Sequence, residues 1–369
     1  MKIWHIGCSP TPKTVDGVNM TVWLVAREQA LLGHQVTLVV EIPPDQAAKM
    51  AAEEAGFQLV YVPADTWRYN PQILTSLFNS DLPHIVHMHS VFLPKQATLA
   101  RQLVKNKIPY VITPHAMSPQ LLQRGWLKKS LYSWLVEKPR FYRASAISAV
   151  TPQEEKAIRF FVPDYQGIVH CLPNPVDSYL LEDHRWKGHV EIKKLVYLGR
   201  FDVLHKGIDK LIEIAGFLPQ EVELHLYGSN DVKTSKWMER LQNNIPSNVY
   251  FHEPVFGFEK VNVLSEASLY IQMSRWEVFG ISIAEAMYLG VPCAIADTLN
   301  LAELFNQHNL GLVLPSDSQE AAKCLTELMN QPVQMQHWSQ SAKSYARTHF
   351  HPRKVALGYL NLYQEVLHI

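Results

Sequence analysis

Two glutamates interrupt an otherwise apolar run, SRWEVFGISIAEAMYLGVPCAIAD, at residues 274–297. A buried carboxylate without a partner is costly, so Glu277 and Glu285 must each reach water or meet a group that wants them. A carboxylate accepts strong hydrogen bonds from two vicinal hydroxyls, and a sugar is therefore a suitable guest. Between the two, Phe279, Gly280 and Ile281 can present backbone N–H groups to a phosphate. The plainer alternative for Glu285 is that it complements the dipole of the helix in whose first turns it lies.

Further charges stand upstream in KLVYLGRFDVLHKGIDKL. Arg200 ends an apolar run, and Lys206 precedes Gly207 at the start of a helical pattern. A guanidinium and an ammonium beside a helix N-terminus make an anion site that suits a diphosphate. Two solvated cations are the competing description. Nearer the start, CSPTPKTVDGVNMT carries Gly17, which lets the main chain approach a ligand closely ahead of a helix with free N–H groups. No GxGxxG is present, so the dinucleotide fingerprint is absent. Histidines form the last constellation: His84, His87 and His89 lie in or beside IVHMHS, and His115 ends YVITPH. His87 and His89 point the same way along a strand. A zinc site is one reading and a satisfied structural histidine another. A neutral His115 at a strand end can hold a sugar hydroxyl or a polar acceptor group.

These residues fall where the elements would place them. KIWHIG is followed by a helical pattern from about Asn19 to Leu32, closed by Gly33. HQVTLVVEI, IVHMHS, YVITPH, ASAISAVT and GIVHCLPN read as further strands, each followed by a turn and a helix. After a polar stretch the alternation restarts with KLVYLGR, ELHLYGS, VYFHEP, LYIQMS, CAIAD and GLVLPSD. Such alternation predicts parallel sheets with both faces covered. The expectation is an α/β chain of two doubly wound, Rossmann-like domains, at 1–174 and 194–350. A linker at 175–193 joins them, and a C-terminal helix at about 351–369 returns to the first domain. Ligands of such sheets bind beyond the carboxyl ends of the strands, where the candidate residues sit.

Bulk properties narrow the class. Lys plus Arg equals Asp plus Glu at 34 each, which gives no general reason to bind nucleic acid. The cysteines Cys8, Cys171, Cys293 and Cys324 are far apart and suggest no disulfide framework. No signal peptide or long apolar span is evident, so a cytoplasmic protein is expected. Charge is uneven, however: Arg101–Ser145 holds nine basic residues against Glu137 alone, interleaved with Trp126, Tyr132, Trp134, Phe141 and Tyr142. A solvated basic face is one account. The other is that 124–143 touches an anionic membrane surface, on its inner face.

Gly199-Arg200, Lys206-Gly207, the pair Glu277 and Glu285, and the following GVP together resemble the retaining nucleotide-sugar glycosyltransferases of GT-B architecture, the family-four (group 1) type in particular. PNPVD (173–177) is similar to that group's PNGVD strand exit, with Pro175 in place of glycine. The tail from Trp338 to Leu367 resembles its closing helices. The resemblance implies two domains facing a central cleft, and transfer of a sugar from a UDP-, GDP- or ADP-linked donor to a glycan or lipid-linked acceptor with retention. It further implies that Arg200 and Lys206 hold the diphosphate, Glu285 the ribose, and Glu277 with Phe279, Gly280 and Ile281 the donor sugar. Gly17 would underlie the diphosphate, His115 would stand beside the sugar as a catalytic residue, and His89 would line the acceptor pocket. No metal or other cofactor is called for. A nucleotide-sugar epimerase of the same architecture is the alternative, and a two-lobed binding protein a third reading.

Overall fold

Strand and helix alternate along both halves of the chain because each short apolar strand is covered on both faces. The computed structural model describes residues 1–11, 17–118, 130–229, 237 and 245–368. Met1–Pro175 with Pro352–Ile369 forms one unit, and Val176–His351 forms a second. Both are Rossmann-like, each built on a parallel sheet.

The first sheet comprises β1 (Lys2–Cys8), β2 (Gln35–Val40), β3 (Gln58–Tyr61), β4 (Ile85–His89), β5 (Tyr110–Thr113), β6 (Ala146–Ala149) and β7 (Ile168–Cys171). Their spatial order is β3-β2-β1-β4-β5-β6-β7, so the winding reverses between β1 and β4. Side chains of alternate parity enter different cores. Trp4, Ile6, Val86, Met88 and Ile112 pack in one cluster, while Ile3, Ile85 and Val111 join Val355, Tyr359 and Tyr363 in another. The helix Pro352–Leu367 thus closes the first unit from the far end of the chain, burying its tyrosine face. His5, His87 and His89 share the parity of Ile3 and Ile85 and lie on that same side.

The second sheet comprises β8 (Lys194–Leu198), β9 (Glu223–Tyr227), β10 (Val249–His252), β11 (Leu269–Gln272), β12 (Cys293–Ala296) and β13 (Leu312–Leu314), in the order β10-β9-β8-β11-β12-β13. Its reversal falls between β8 and β11. Ligands gather at such switch points, and the Arg200, Lys206 and Glu277 segments follow these two strands.

Two features differ from the sequence reading. β3 was not anticipated: QLVY is a half-exposed edge strand with too few buried positions to show a period. Of the segment 175–193, read as a linker, all but Pro175 belongs to the second unit. Its polar composition conceals anchors: Val176, Leu181 and Ile192 are buried, and Trp186 Nε1 donates to the Ala267 carbonyl at 2.8 Å.

Candidate active site

Lys206 reaches its position through a short, tightly constrained turn. Asp202 caps the helix Val203–Lys206, accepting from the His205 amide at 2.9 Å. Gly207 then adopts φ 66°, with its α-carbon pressed against the end of β11. A Cβ there would meet the Met273 carbonyl oxygen at 2.0 Å, so only glycine fits. The loop after β11 is tied to the same turn. Arg275 clamps Asp209 at 2.6 and 3.0 Å and donates to the Val203 carbonyl at 2.6 Å. His205 stacks on Trp276 at 4.5 Å and bonds to its carbonyl at 3.0 Å. Burial, followed by the Lys206 charge, lowers the His205 pKa.

This stitching brings Lys206 Nζ onto Glu277 Oε2. Gln272 Nε2, itself oriented by the Tyr270 hydroxyl at 2.7 Å, donates to the same oxygen at 3.2 Å. Gly280, at φ 77°, opens the helix Ile281–Leu289. The N–H groups of Phe279, Gly280 and Ile281 bond to no protein acceptor among the described residues, as a first helical turn leaves them. That helix is buried almost all round, which accounts for its apolar composition. Glu285 is its exception, only 1% exposed and paired with Lys260 Nζ at 2.5 Å. Arg200 is exposed, and its guanidinium forms no ion pair with described residues.

The structure therefore joins Lys206 to Glu277 and sets Glu285 on the helix that begins beside them. Sequence reasoning missed Lys260, Gln272 and Arg275. Their partners lie 25, 5 and 66 residues away, and no local pattern marks such pairings.

The remaining candidates lie in the first unit. Gly17 is the first residue of the helix Gly17–Leu31, while the preceding 12–16 lie outside the described residues. Asn19, two residues beyond Gly17, accepts from the Ser9 amide at 2.8 Å and donates to the Thr11 carbonyl at 2.6 Å. His115 follows β5 in the left-handed region at φ 60°, rare for a residue with a Cβ. His89 is buried with both ring nitrogens engaged, Nε2 by His5 and Nδ1 by His115, each at 3.0 Å. His87 bonds the Tyr363 hydroxyl at 2.6 Å and Thr113 Oγ1 at 2.7 Å. His5, His87 and His89 are close enough to share a metal ion, but protein partners already occupy their ring nitrogens. Burial drives His5 and His115 down to about 4, and His87 and His89 well below the usual histidine range.

Two of the charges expected on the basic face are instead interior. Arg140 and Glu137 pair at 2.7 Å with no exposure, and hold the Ser90 carbonyl and the Phe92 amide at 3.0 Å each. Burying a charge demands a partner, and this pair supplies one to each. Arg124, Trp126, Lys128 and Lys129 lie outside the described residues.

Two Rossmann-like units, with cations and carboxylates beyond the switch point of the second sheet, define the architecture called GT-B. Comparison with known proteins identifies the family. The family described as "Glycosyl transferases group 1" matches residues 182–345, and the "Glycosyl transferase 4-like domain" matches residues 16–174. The chain is a glycosyltransferase of the group 1 type, and this leaves the epimerase reading without support. An uncharacterized 41.2 kDa protein in the cps region of Klebsiella pneumoniae is 23% identical over 294 residues, spanning 76% of this chain and 78% of its own. Sucrose-phosphate synthase from Thermosynechococcus elongatus superposes with a TM-score of 0.80 at 18% identity, covering 100% of this chain and 99% of its own. Anabaena HepE, solved in complex with UDP and glucose, gives 0.76 at 16% identity, covering 99% of this chain and 100% of its own.

Proposed function

We propose that the protein transfers a hexose from a nucleotide-diphosphate donor to a glycan or lipid-linked acceptor, with retention at the anomeric carbon, in surface polysaccharide assembly. The observation that carries this reading is the meeting of Lys206 and Glu277 beyond β8 and β11. It sets one diphosphate-binding cation against one hydroxyl-binding carboxylate, as a sugar diphosphate requires. Among UDP, GDP and ADP, the uridine nucleotide is favoured because a structural neighbour binds UDP and glucose. The relative in a cps region supports the polysaccharide setting.

In this reading Lys206 releases Glu277 when donor arrives. The ammonium and Arg200 take the diphosphate, and Glu277 takes sugar hydroxyls. Glu285 receives the ribose, with Lys260 beside it. The N–H groups of Phe279, Gly280 and Ile281 face the donor, and the resemblance gives Gly17 the diphosphate and His115 the sugar; His89, expected at the acceptor, is buried with both ring nitrogens engaged and is not assigned to it. The bond between the anomeric carbon and the phosphate oxygen breaks, leaving charge on the diphosphate that the fixed cations stabilise. The acceptor oxygen attacks on the same face, and its proton passes to the departing phosphate oxygen. These cations supply the positive charge, and we assign no metal to the step.

Lys206→Ala should lower UDP release from UDP-glucose on the order of 100-fold, the typical cost of one electrostatic stabiliser. Release at the wild-type rate would refute the diphosphate assignment.

We also propose contact with an anionic membrane. Leu131, Trp134, Leu135 and Tyr142 are exposed on one short helical stretch with Arg143. This is the mixture of apolar and basic side chains that an interfacial helix uses. No described helix is long and apolar enough to cross a membrane.

A further inference from the structure

Two buried carboxylates of this chain are partnered very differently. Glu154 takes the Met117 amide on one oxygen at 2.9 Å and the Val150 amide on the other at 2.8 Å. Glu285 is equally buried, yet only its Oε1 is engaged, by Lys260 Nζ at 2.5 Å; Oε2 bonds to no described residue. The ammonium is unfinished too. One of its three N–H groups goes to Glu285, and the side chain has no other partner among the described residues.

Two helices of the second unit hold the pair in place. Lys260 stands in the first turn of the helix Gly257–Ser265, beside Val261 and Leu264, whose burial fixes that helix to the body of the unit. Glu285 lies in the second turn of the helix Ile281–Leu289, sunk among buried neighbours. The lysine side chain is 20% exposed and the glutamate side chain 2%. Lys260 is thus the outer member, and a ligand hydroxyl that reaches Glu285 comes within range of the ammonium as well.

We infer that Lys260 is a specificity-determining residue which, with Glu285, makes the site require a ribonucleotide; this rests on the assignment of Glu285 to the ribose proposed above. A ribose hydroxyl both donates and accepts. It gives its proton to Glu285 Oε2 and accepts from Lys260, so the pair stays joined when the donor binds. Lys206 and Glu277 differ, because they part in the proposed reaction. A 2′-deoxyribose lacks one of the two vicinal hydroxyls and leaves a carboxylate oxygen and an ammonium N–H unpaired in a largely dry site. A site built to bond a hydroxyl rejects the analogue lacking it far more strongly than one that differs only in bulk. The donor class is therefore the ribonucleoside diphosphate sugars, and deoxyribonucleoside diphosphate sugars are excluded.

The test is calorimetric titration of UDP and 2′-deoxy-UDP into the full-length protein and into Lys260→Met, which keeps an unbranched stem and removes the charged donor. The wild type should bind 2′-deoxy-UDP about ten-fold or more weakly than UDP, as the loss of hydrogen bonds to charged groups implies. In Lys260→Met that gap should fall below about three-fold. Equal affinity of the wild type for the two nucleotides would overturn the inference. So would an unchanged gap in the variant, because a lysine that only neutralises Glu285 weakens both nucleotides by the same factor when it is removed. If Lys260→Met fails to fold, Lys260→Gln carries the same comparison. Failure of the donor reading looks different: neither nucleotide then binds the wild type, and the role of Lys260 falls with it. Failure of the Lys260 assignment alone leaves UDP binding intact.

Discussion

Lys206 and Glu277 show how much of a site single residues announce. Both were readable because they follow apolar strands, and crevice chemistry in wound sheets gathers at strand ends. Lys260 and His5 were not. Lys260 is one cation on a polar helix until Glu285 is found against it, and His5 sits within KIWHIG as one more strand residue. Their meaning lies in contacts distant in sequence. The buried histidines also make a prediction about acid. His5 and His115 bind protons near pH 4 when folded and near 6.5 when unfolded, so the unfolded chain takes up protons first as pH falls. The stability they allow is present above pH 6.5 and is lost as pH drops toward 4. Linkage puts the loss at about 2 kcal/mol per residue between pH 7 and pH 5. Denaturant midpoints should fall accordingly, and a pH-independent midpoint would contradict neutral burial.

At the scale of elements, the alternation of strand and helix was legible, including the helix that bears Glu285. Gly280 and Gly290 bracket it at φ 77° and 82°, and glycine at such ends is a signal that sequence carries directly. The edge strand β3 and the anchored segment 175–193 were not legible, because partial burial leaves little hydrophobic period. Neither was the exact use of the turn at Gly207, where close approach to β11 excludes any side chain. Gly207→Ala should therefore cost about 1–3 kcal/mol of stability in the second unit. It should also weaken UDP binding by displacing Lys206. An unchanged denaturation midpoint would show that this turn can relax.

For the whole molecule, balanced charge excluded a general attraction to nucleic acid but hid a local contrast. Arg140, counted with the basic face, is interior with Glu137, while Leu131, Trp134 and Leu135 face outward. Apolar insertion should then outweigh charge in membrane contact. Trp134→Ala with Leu135→Ser should abolish sedimentation with vesicles containing phosphatidylglycerol; retained binding would remove the membrane proposal. The central claim is that the second unit holds a nucleotide-sugar donor, and calorimetric titration tests it most directly. UDP, GDP and ADP are titrated into the wild-type protein and into Glu285→Ala. UDP should bind most tightly and lose about ten-fold or more in affinity in the variant, as the loss of a charged hydrogen bond implies. Equal binding by the two proteins, or no binding of any of the three nucleotides, would contradict it.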